Sequence, residues 1–240
     1  MFRNIKDIKI GNNSSWKGKI FLTFDTDWCS DEVLSYALNI IDKHDIKATF
    51  FVTHETKLLE RMRENSNIEL GIHPNFNPLL NGSFRYGKNV DEVIDYYKKI
   101  IPEAESVRSH SVTQSSPILE SFARHGLKFD CNTFIPFSSN IDLEPYYHWT
   151  DNLVKVPYFW EDDIHCIYNW KWRTEEFLKG SGMKVFDFHP IHLFLNTEDI
   201  NRYEKSKESH RDMKRLKNYV NKEIFGTYNF LIDIIEREVK

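Results

Sequence analysis

Two carboxylates stand two residues apart at the end of a strongly apolar stretch. Residues 20–24 read I-F-L-T-F, and Asp25 and Asp27 follow directly. A run of this length without strict alternation is typical of a buried parallel strand. Carboxylates are rarely buried unless they are paired or bound to a metal, and neighbouring carboxylates repel each other. We interpret this strand end as a site that needs a cation or a shared proton, although Asp27 alone would also suit the cap of a following helix.

Further polar residues follow the later predicted strands. Five of the ten histidines occupy such positions, together with an arginine and an acidic run: His54, His73, Arg108, His110, Glu161, Asp162, Asp163, His189 and His192. A single histidine here is more often a structural hydrogen-bonding group than a ligand, but five at equivalent positions indicate a site. Active sites of parallel α/β folds lie at the carboxyl ends of the strands. Imidazole and carboxylate together favour Zn²⁺, or Fe, Co or Ni.

Seven apolar segments alternate with helical patterns along the chain and must position these side chains. The predicted strands are residues 19–24, 48–53, 68–72, 106–109, 127–131, 153–158 and 183–188. Because we find no linker or repeat, we predict a single domain over residues 1–240, with a parallel sheet. Reactive residues after several strands indicate a closed or nearly closed barrel with its core at about 19–194. A charged helical extension follows over 198–240.

Composition excludes several classes of protein. The net charge of −4 gives no sign of a nucleic-acid partner. Three widely spaced cysteines, Cys29, Cys131 and Cys166, argue against a disulfide framework or a thiolate zinc site and favour a reducing, cytoplasmic location. There is no signal-peptide pattern, and no run approaches the roughly 18 apolar residues of a membrane span. The sequence does not predict an oligomeric state.

The motifs T-F-D-T-D (23–27), A-T-F-F (48–51), H-P-N-F-N (73–77), Arg108 and D-F-H (187–189) form a recognisable set. They resemble the NodB-like polysaccharide deacetylases, which are similar to carbohydrate esterase family 4. Within that family they resemble a divergent branch associated with surface-polysaccharide gene products. The resemblance spans about residues 19–194. It implies an α/β fold, an incomplete (β/α)7 barrel, and metal-dependent removal of N- or O-acetyl groups.

The resemblance also implies a role for each matching residue. Asp25 would be the catalytic base, held by Arg108, and His189 the catalytic acid. Asp27 and His73 would bind the metal. The family's second motif, H-x-x-x-H, ends here in Asn77. Either its carbonyl oxygen is the third ligand, or His54 or His110 completes the set.

Two more residues are candidates for substrate contact. His192 would support the site or touch the substrate. Trp160, just past the sixth predicted strand and before the acidic run, would contact a sugar. Most other aromatic residues of the region 145–172 are expected to pack in the core.

These residues predict a hydrolase that acts on an acetylated sugar or polysaccharide precursor. A bound divalent metal, first of all Zn²⁺, makes water a better nucleophile and polarises the carbonyl. Asp25 would take the water proton, and His189 would protonate the leaving group.

Three alternatives remain open at the sequence level. A phosphatase of the haloacid dehalogenase type would use Asp25 as nucleophile and Asp27 as acid/base with Mg²⁺. That motif normally continues with Gly-Thr or Gly-Val, whereas Trp28 and Cys29 follow here. A barrel that binds acetylated sugar without cleaving it is the second alternative. A two-carboxylate glycosidase is the weakest, because Asp25 and Asp27 leave the strand side by side rather than about 5 Å or more apart across a sugar.

Overall fold

The computed structural model describes residues 1–149 and 152–239, with side chains up to 238. The predicted domain and its helical extension also include residues 150, 151 and 240, which lie outside the described residues. The strands are β1 (Ile20–Asp25), β2 (Ala48–Val52), β3 (Ile68–Ile72), β4 (Ser106–Val107), β5 (Phe129–Asp130), β6 (Tyr146–Tyr147), β7 (Val154–Lys155), β8 (Trp160–Glu161) and β9 (Lys184–Phe188). The α-helices are α1 (Asp31–His44), α2 (Leu59–Glu64), α3 (Asn77–Leu80), α4 (Val90–Ile100), α5 (Ser116–Arg124), α6 (Asp162–Ile167), α7 (Thr174–Leu178), α8 (Pro190–Leu195), α9 (Ile200–Ser206), α10 (Met213–Leu216) and α11 (Thr227–Val239).

The strands of the described residues form one sheet in the order β6-β7-β5-β4-β3-β2-β1-β9-β8. All neighbours are parallel except β6 and β7. β1 lies between β2 and β9, and each of its six residues is buried. The register places Thr23 opposite both Thr49 and Asp187. The polar ends of β1 and β9 therefore lie side by side.

The predicted sixth strand, 153–158, runs from one margin of the sheet towards the other. Its first part, β7, pairs with β5, and the strand β8 beyond its end pairs with β9. Between them, the amide of Val156 donates to Asp130 O at 2.8 Å, and the amide of Tyr158 donates to Thr133 O at 3.0 Å. Pro157 has no amide hydrogen and cannot continue the ladder. The result is a curled half-barrel, which confirms the predicted incomplete α/β barrel. The expected seven strands become nine because two short strands were not predicted: β8, just beyond the predicted sixth strand, and the antiparallel β6.

A large apolar core fills the barrel and the space beneath its helices. Phe21, Phe24, Phe50 and Phe186 have no exposed surface. Helix α11 adds an apolar stripe to this core, and its four members are buried: Phe230, Leu231, Ile234 and Ile235. The predicted C-terminal helix is thus present and covers the barrel side. Among the described residues, no helix has the length and apolar character needed to cross a bilayer.

Candidate active site

Asp27, His73 and His110 converge at the carboxyl end of the sheet. Asp27 Oδ1 lies 3.3 Å from His73 Nε2 and 3.3 Å from His110 Nδ1. One possible ligand atom from each of the three residues lies within 4.8 Å of those of the other two. Burial opposes ionisation of Asp27, but the close imidazoles of His110 and His73 outweigh it and hold the pKa of Asp27 well below its usual value. The cluster joins the ends of β1, β3 and β4.

The second group surrounds the Arg108 guanidinium, which is 1% exposed. Its Nη1 donates to Thr23 Oγ1 at 2.9 Å and to Asp25 Oδ1 at 3.1 Å, and it also donates to Asp187 Oδ1. Burial opposes its charge, but Asp187 and Asp25 raise the pKa of Arg108 above its ordinary value. Burial and the nearby Asp25 raise the pKa of Asp187 well above normal despite Arg108. Asp187 therefore holds its proton to higher pH than an ordinary aspartate does, and Arg108 bridges both carboxyl groups.

The third group places an imidazole against a fully buried carboxylate. His189 Nδ1 and Asp162 Oδ1 are 2.7 Å apart, and the His189 amide donates to Asp162 Oδ2 at 2.8 Å. Burial lowers the pKa of His189, but the Asp162 charge and hydrogen bond outweigh it, and the pKa lies well above its usual value. His189 Nε2 lies 3.6 Å from Asp27 Oδ2. The other ring nitrogen of His189 therefore points to the cluster of Asp27, His73 and His110.

Backbone strain is concentrated beside two of these side chains. Asp27 and Trp28 have φ of 39° and 53°, and Ser111 and Val112 have φ of 57° and 44°. Left-handed backbone at bulky or β-branched residues is uncommon and costs of order 1–3 kcal/mol each. The Thr53 hydroxyl accepts from the Trp28 amide at 2.9 Å and supports the first turn. Backbone strain is common at functional sites, because it can orient a side chain towards the site when a relaxed backbone would direct it elsewhere.

A cavity of about 470 Å³ opens onto these groups. Its wall includes Asp27, Trp28, His110, Asp163, His189 and Arg211. The indole of Trp28 packs with the His110 ring at a centroid distance of 5.1 Å and an angle of 77°. The cavity is large enough for one sugar unit and its acyl group.

The structure brings most of the predicted residues to this end of the barrel. Asn77 begins α3, and its Nδ2 donates to Ser111 Oγ at 3.2 Å, beside His110. His54 Nδ1 lies 2.8 Å from Thr53 Oγ1, so this ring supports the Thr53 hydroxyl that holds Trp28.

His192 is buried behind His189. Its ring packs on Tyr203 at 4.8 Å, and its Nδ1 lies 3.0 Å from Thr197 Oγ1. Burial lowers the pKa of His192, with the nearby His189 also lowering it. This environment suits a support for the cavity wall.

The expectation that Trp160 contacts a sugar is wrong. Its side chain is 0% exposed, and its Nε1 donates to His165 Nδ1 at 2.9 Å. The indole packs on Phe230 of α11 with 4.6 Å between ring centroids. The alternation of β8 turns Trp160 into the core and Glu161 towards Asp163 and His189.

Sequence reasoning gave no role to Asp162, Asp187 or Trp28. Asp162 was one of three consecutive acids, and only the structure distinguishes the one that meets His189. Asp187 entered only as the first residue of the D-F-H motif, and in the structure it pairs with Arg108. For Trp28 the available signal was its place directly after Asp27, in the turn that leaves β1.

Comparisons with known proteins fit this geometry. The sequence model of the WbmS-like family, described as polysaccharide deacetylase, matches residues 22–207. A crystal structure from Bordetella bronchiseptica, assigned as a WbmS polysaccharide deacetylase involved in O-antigen biosynthesis, is 44% identical with a TM-score of 0.93. The alignment covers 98% of this chain and 97% of that one. A search of curated proteins finds no match.

Two more distant structures also align. A polysaccharide deacetylase from Mycobacterium smegmatis is 15% identical, with a TM-score of 0.49, over 91% of this chain and 89% of that one. A family 4 carbohydrate esterase from Streptomyces lividans, crystallised with acetate, is 12% identical, with a TM-score of 0.46, over 83% and 86%.

The half-barrel and its polar rim define a NodB-like deacetylase fold. With the family match over most of its length, the chain belongs to the WbmS-like polysaccharide deacetylases.

Proposed function

We propose that this chain is a metal-dependent hydrolase that removes an acetyl group from a sugar or polysaccharide precursor. One divalent cation would be held by Asp27, His73 and His110. The observation that carries the proposal is the convergence of these side chains, each of the two imidazoles having a nitrogen 3.3 Å from the same carboxylate oxygen.

The residues fit a metal on physical grounds. Ligands that bind Zn²⁺ tetrahedrally at 2.0–2.2 Å stand about 3.3–3.6 Å apart, which agrees with both separations of 3.3 Å. Asp27 Oδ1 is buried, and within the described part of the chain it accepts no hydrogen bond of good geometry. A buried carboxylate oxygen without a donor is costly unless a cation satisfies it. We assign His110 rather than Asn77 as the third ligand, because imidazole binds Zn²⁺, Co²⁺, Ni²⁺ or Fe²⁺ more strongly than an amide oxygen does.

When bound, the metal would polarise the acetyl carbonyl and lower the pKa of water. Asp25 would accept the proton of the attacking water, since Arg108 stabilises its charged form. The raised pKa of Asp187 supports this role of Asp25. An Asp187 carboxyl that keeps its proton leaves the Arg108 charge to Asp25. Asp25 Oδ2 is also 3.5 Å from His73 Nδ1, so the base sits directly behind a ligand.

His189 would protonate the leaving group. The Asp162 carboxylate keeps the imidazole charged and fixes its orientation through two contacts. A buried imidazolium that faces the cavity is ready to donate its proton as the bond to the acetyl carbon breaks.

The substrate class follows from the relatives. The similar protein of Bordetella bronchiseptica is assigned to O-antigen biosynthesis. We extend this to an acetylated sugar of a surface polysaccharide or its precursor. All three cysteines are free, which supports the predicted cytoplasmic location.

Acetate release tests the proposal. The protein is assayed with N- and O-acetylated sugars and oligosaccharides after addition of Zn²⁺, Co²⁺ or Ni²⁺. We expect turnover that chelator abolishes and that Asp25→Asn and His189→Ala each reduce by at least about 100-fold. Unchanged activity in both variants would refute the assigned roles. Turnover of p-nitrophenyl phosphate with Mg²⁺ in place of acetate release would favour the phosphatase alternative.

A further inference from the structure

A pair of carboxyl groups stands beside His189 and has no part in the mechanism above. Oxygen atoms of Glu161 and Asp163 and a ring nitrogen of His189 all lie within 4.8 Å of one another. Asp163 lines the cavity together with His189 and Asp27. The two acids flank Asp162, the partner of His189, at the start of α6. They therefore occupy the leaving-group side of the site, next to the proposed acid.

Glu161 holds a proton more readily than an ordinary glutamate does. Burial and the neighbouring Asp163 raise the pKa of Glu161 well above its usual value. Glu161 Oε2 already accepts from the Tyr158 hydroxyl at 2.9 Å, which fixes this side chain in the wall. Asp163 Oδ1 is buried without a donor of good geometry in the described residues. Of the two carboxyl groups, Asp163 is the one that lines the cavity.

We infer that Asp163 selects amides over esters as the group to be hydrolysed. The inference rests on the proposed function, since it concerns the same site and the same proton donor. The nitrogen of an N-acetyl group carries a hydrogen that a carboxylate can accept, whereas the bridging oxygen of an O-acetyl group carries only lone pairs. An ester oxygen placed near His189 would face the Asp163 charge and find no hydrogen bond.

The interaction between the Asp163 carboxylate and the substrate nitrogen becomes stronger as the reaction proceeds. The water oxygen bonds to the acetyl carbon, and its proton passes to Asp25. The C–N bond then breaks, its electron pair stays on nitrogen, and that nitrogen takes the His189 proton. The products are acetate and a primary amine. Positive charge grows on nitrogen as it is protonated, and a neighbouring carboxylate stabilises that charge.

A matched pair of substrates provides the test. Two methyl glycosides of one sugar are compared, with the acetyl group attached at C2 through nitrogen in one and through oxygen in the other. An alkyl ester is used because its leaving group needs His189 as the amide does. The proteins are the wild type, Asp163→Ala, Asp163→Asn and the control Glu208→Gln, which removes a charge from an exposed residue outside the cavity wall.

We expect the wild type to favour the amide and Asp163→Ala to lower kcat/KM for the amide by about 10- to 100-fold, the effect of one hydrogen bond to a charged group. The ester rate should stay within about threefold, or rise. Asp163→Asn should fall between, since it keeps an acceptor oxygen without the charge, and Glu208→Gln should change neither rate. Because Asp163 also helps to raise the pKa of His189, the rates are compared on the plateau below the alkaline limb of each pH profile.

The outcomes separate this inference from the proposed function. A wild type that prefers the ester, or an Asp163→Ala variant that loses both rates equally, overturns the selection by Asp163 and leaves the hydrolase standing. No acetate from either glycoside with Zn²⁺, Co²⁺ or Ni²⁺ contradicts the proposed function itself and removes the basis of the inference.

Discussion

Asp162 holds His189 with both of its carboxylate oxygens, one on the ring and one on the backbone. Oδ1 lies 2.7 Å from Nδ1, and Oδ2 accepts from the amide at 2.8 Å. The carboxylate is 0% exposed, so water does not weaken the interaction. This contact joins the start of α6 to the end of β9. The fold therefore determines both the rotamer and the charge of His189.

The pH profile of hydrolysis should shift when the Asp162 carboxylate is replaced by a neutral amide. Activity requires protonated His189, and it is lost as the pH rises through the pKa of that imidazole. Since Asp162 outweighs burial and raises this pKa, Asp162→Asn should lower it and shift the alkaline limb of kcat/KM to lower pH. The asparagine still accepts from the His189 amide, so the fold is retained. An alkaline limb that stays in place would show that His189 is not the titrating acid.

The two carboxylates around Arg108 should respond very differently to the same substitution. Asp187 is already neutral in this account, so Asp187→Asn replaces one uncharged group by another of equal shape. We expect its kcat within about tenfold of the wild type, whereas Asp25→Asn loses about 10²- to 10⁴-fold through the missing base. Steady-state acetate release from both variants, with circular dichroism as the control for folding, measures this contrast. Equal losses would mean that Asp187 carries the functional charge.

Replacement of Trp160 should harm the fold rather than substrate binding. This residue is fully buried against Phe230 and His165, so Trp160→Ala should lower the free energy of unfolding by about 3–5 kcal/mol. The exposed Tyr168 is the matched control, and Tyr168→Ala should change the free energy of unfolding by less than about 0.5 kcal/mol. Urea unfolding gives both values. A stable Trp160→Ala variant with a raised KM would restore the role as a sugar contact.

Glu69 should make the fold less stable as the pH rises. It is 3% exposed inside the barrel, and burial raises its pKa above 4.5 despite hydrogen bonds from the Lys6 amide and Thr49. The folded state therefore binds a proton that the unfolded state releases, and stability falls by up to about 1.4 kcal/mol per pH unit between 4.5 and the folded pKa. Glu69→Gln should remove this slope. Unfolding free energies of both proteins at pH 4 to 8 measure the difference, and parallel curves would refute it.

The sequence was most informative where structure is local. Strands β1, β2, β3 and β9 lie within about two residues of their predicted limits because each is a continuous apolar run. Strands β4 and β5 lie within the predicted ranges 106–109 and 127–131 but keep only two residues each, because pairing with neighbouring strands sets their length. Strand β6 was not predicted; it pairs with the nearby β7. Strand β8, just beyond the predicted strand 153–158, was also missed, and it is defined by its pairing with β9.

The candidate site divides in the same way. The rule that polar residues gather at the carboxyl ends of strands brought Asp25, Asp27, His73 and His189 together before any coordinates. The position of His110 depends on the left-handed turn at Ser111 and Val112, where residue preference argues against the observed backbone. The choice of Asp162 among three acids depends on the helical phase of α6, which is set by tertiary packing.

Metal binding at equilibrium tests the central claim most directly. Apo protein is titrated with Zn²⁺ by calorimetry, in the wild type, His110→Ala and Asn77→Ala. We predict one equivalent bound by the wild type, an affinity lowered at least about 10-fold in His110→Ala, and an affinity near that of the wild type in Asn77→Ala. Undiminished binding in His110→Ala together with its loss in Asn77→Ala would contradict the assignment of Asp27, His73 and His110 as the ligands.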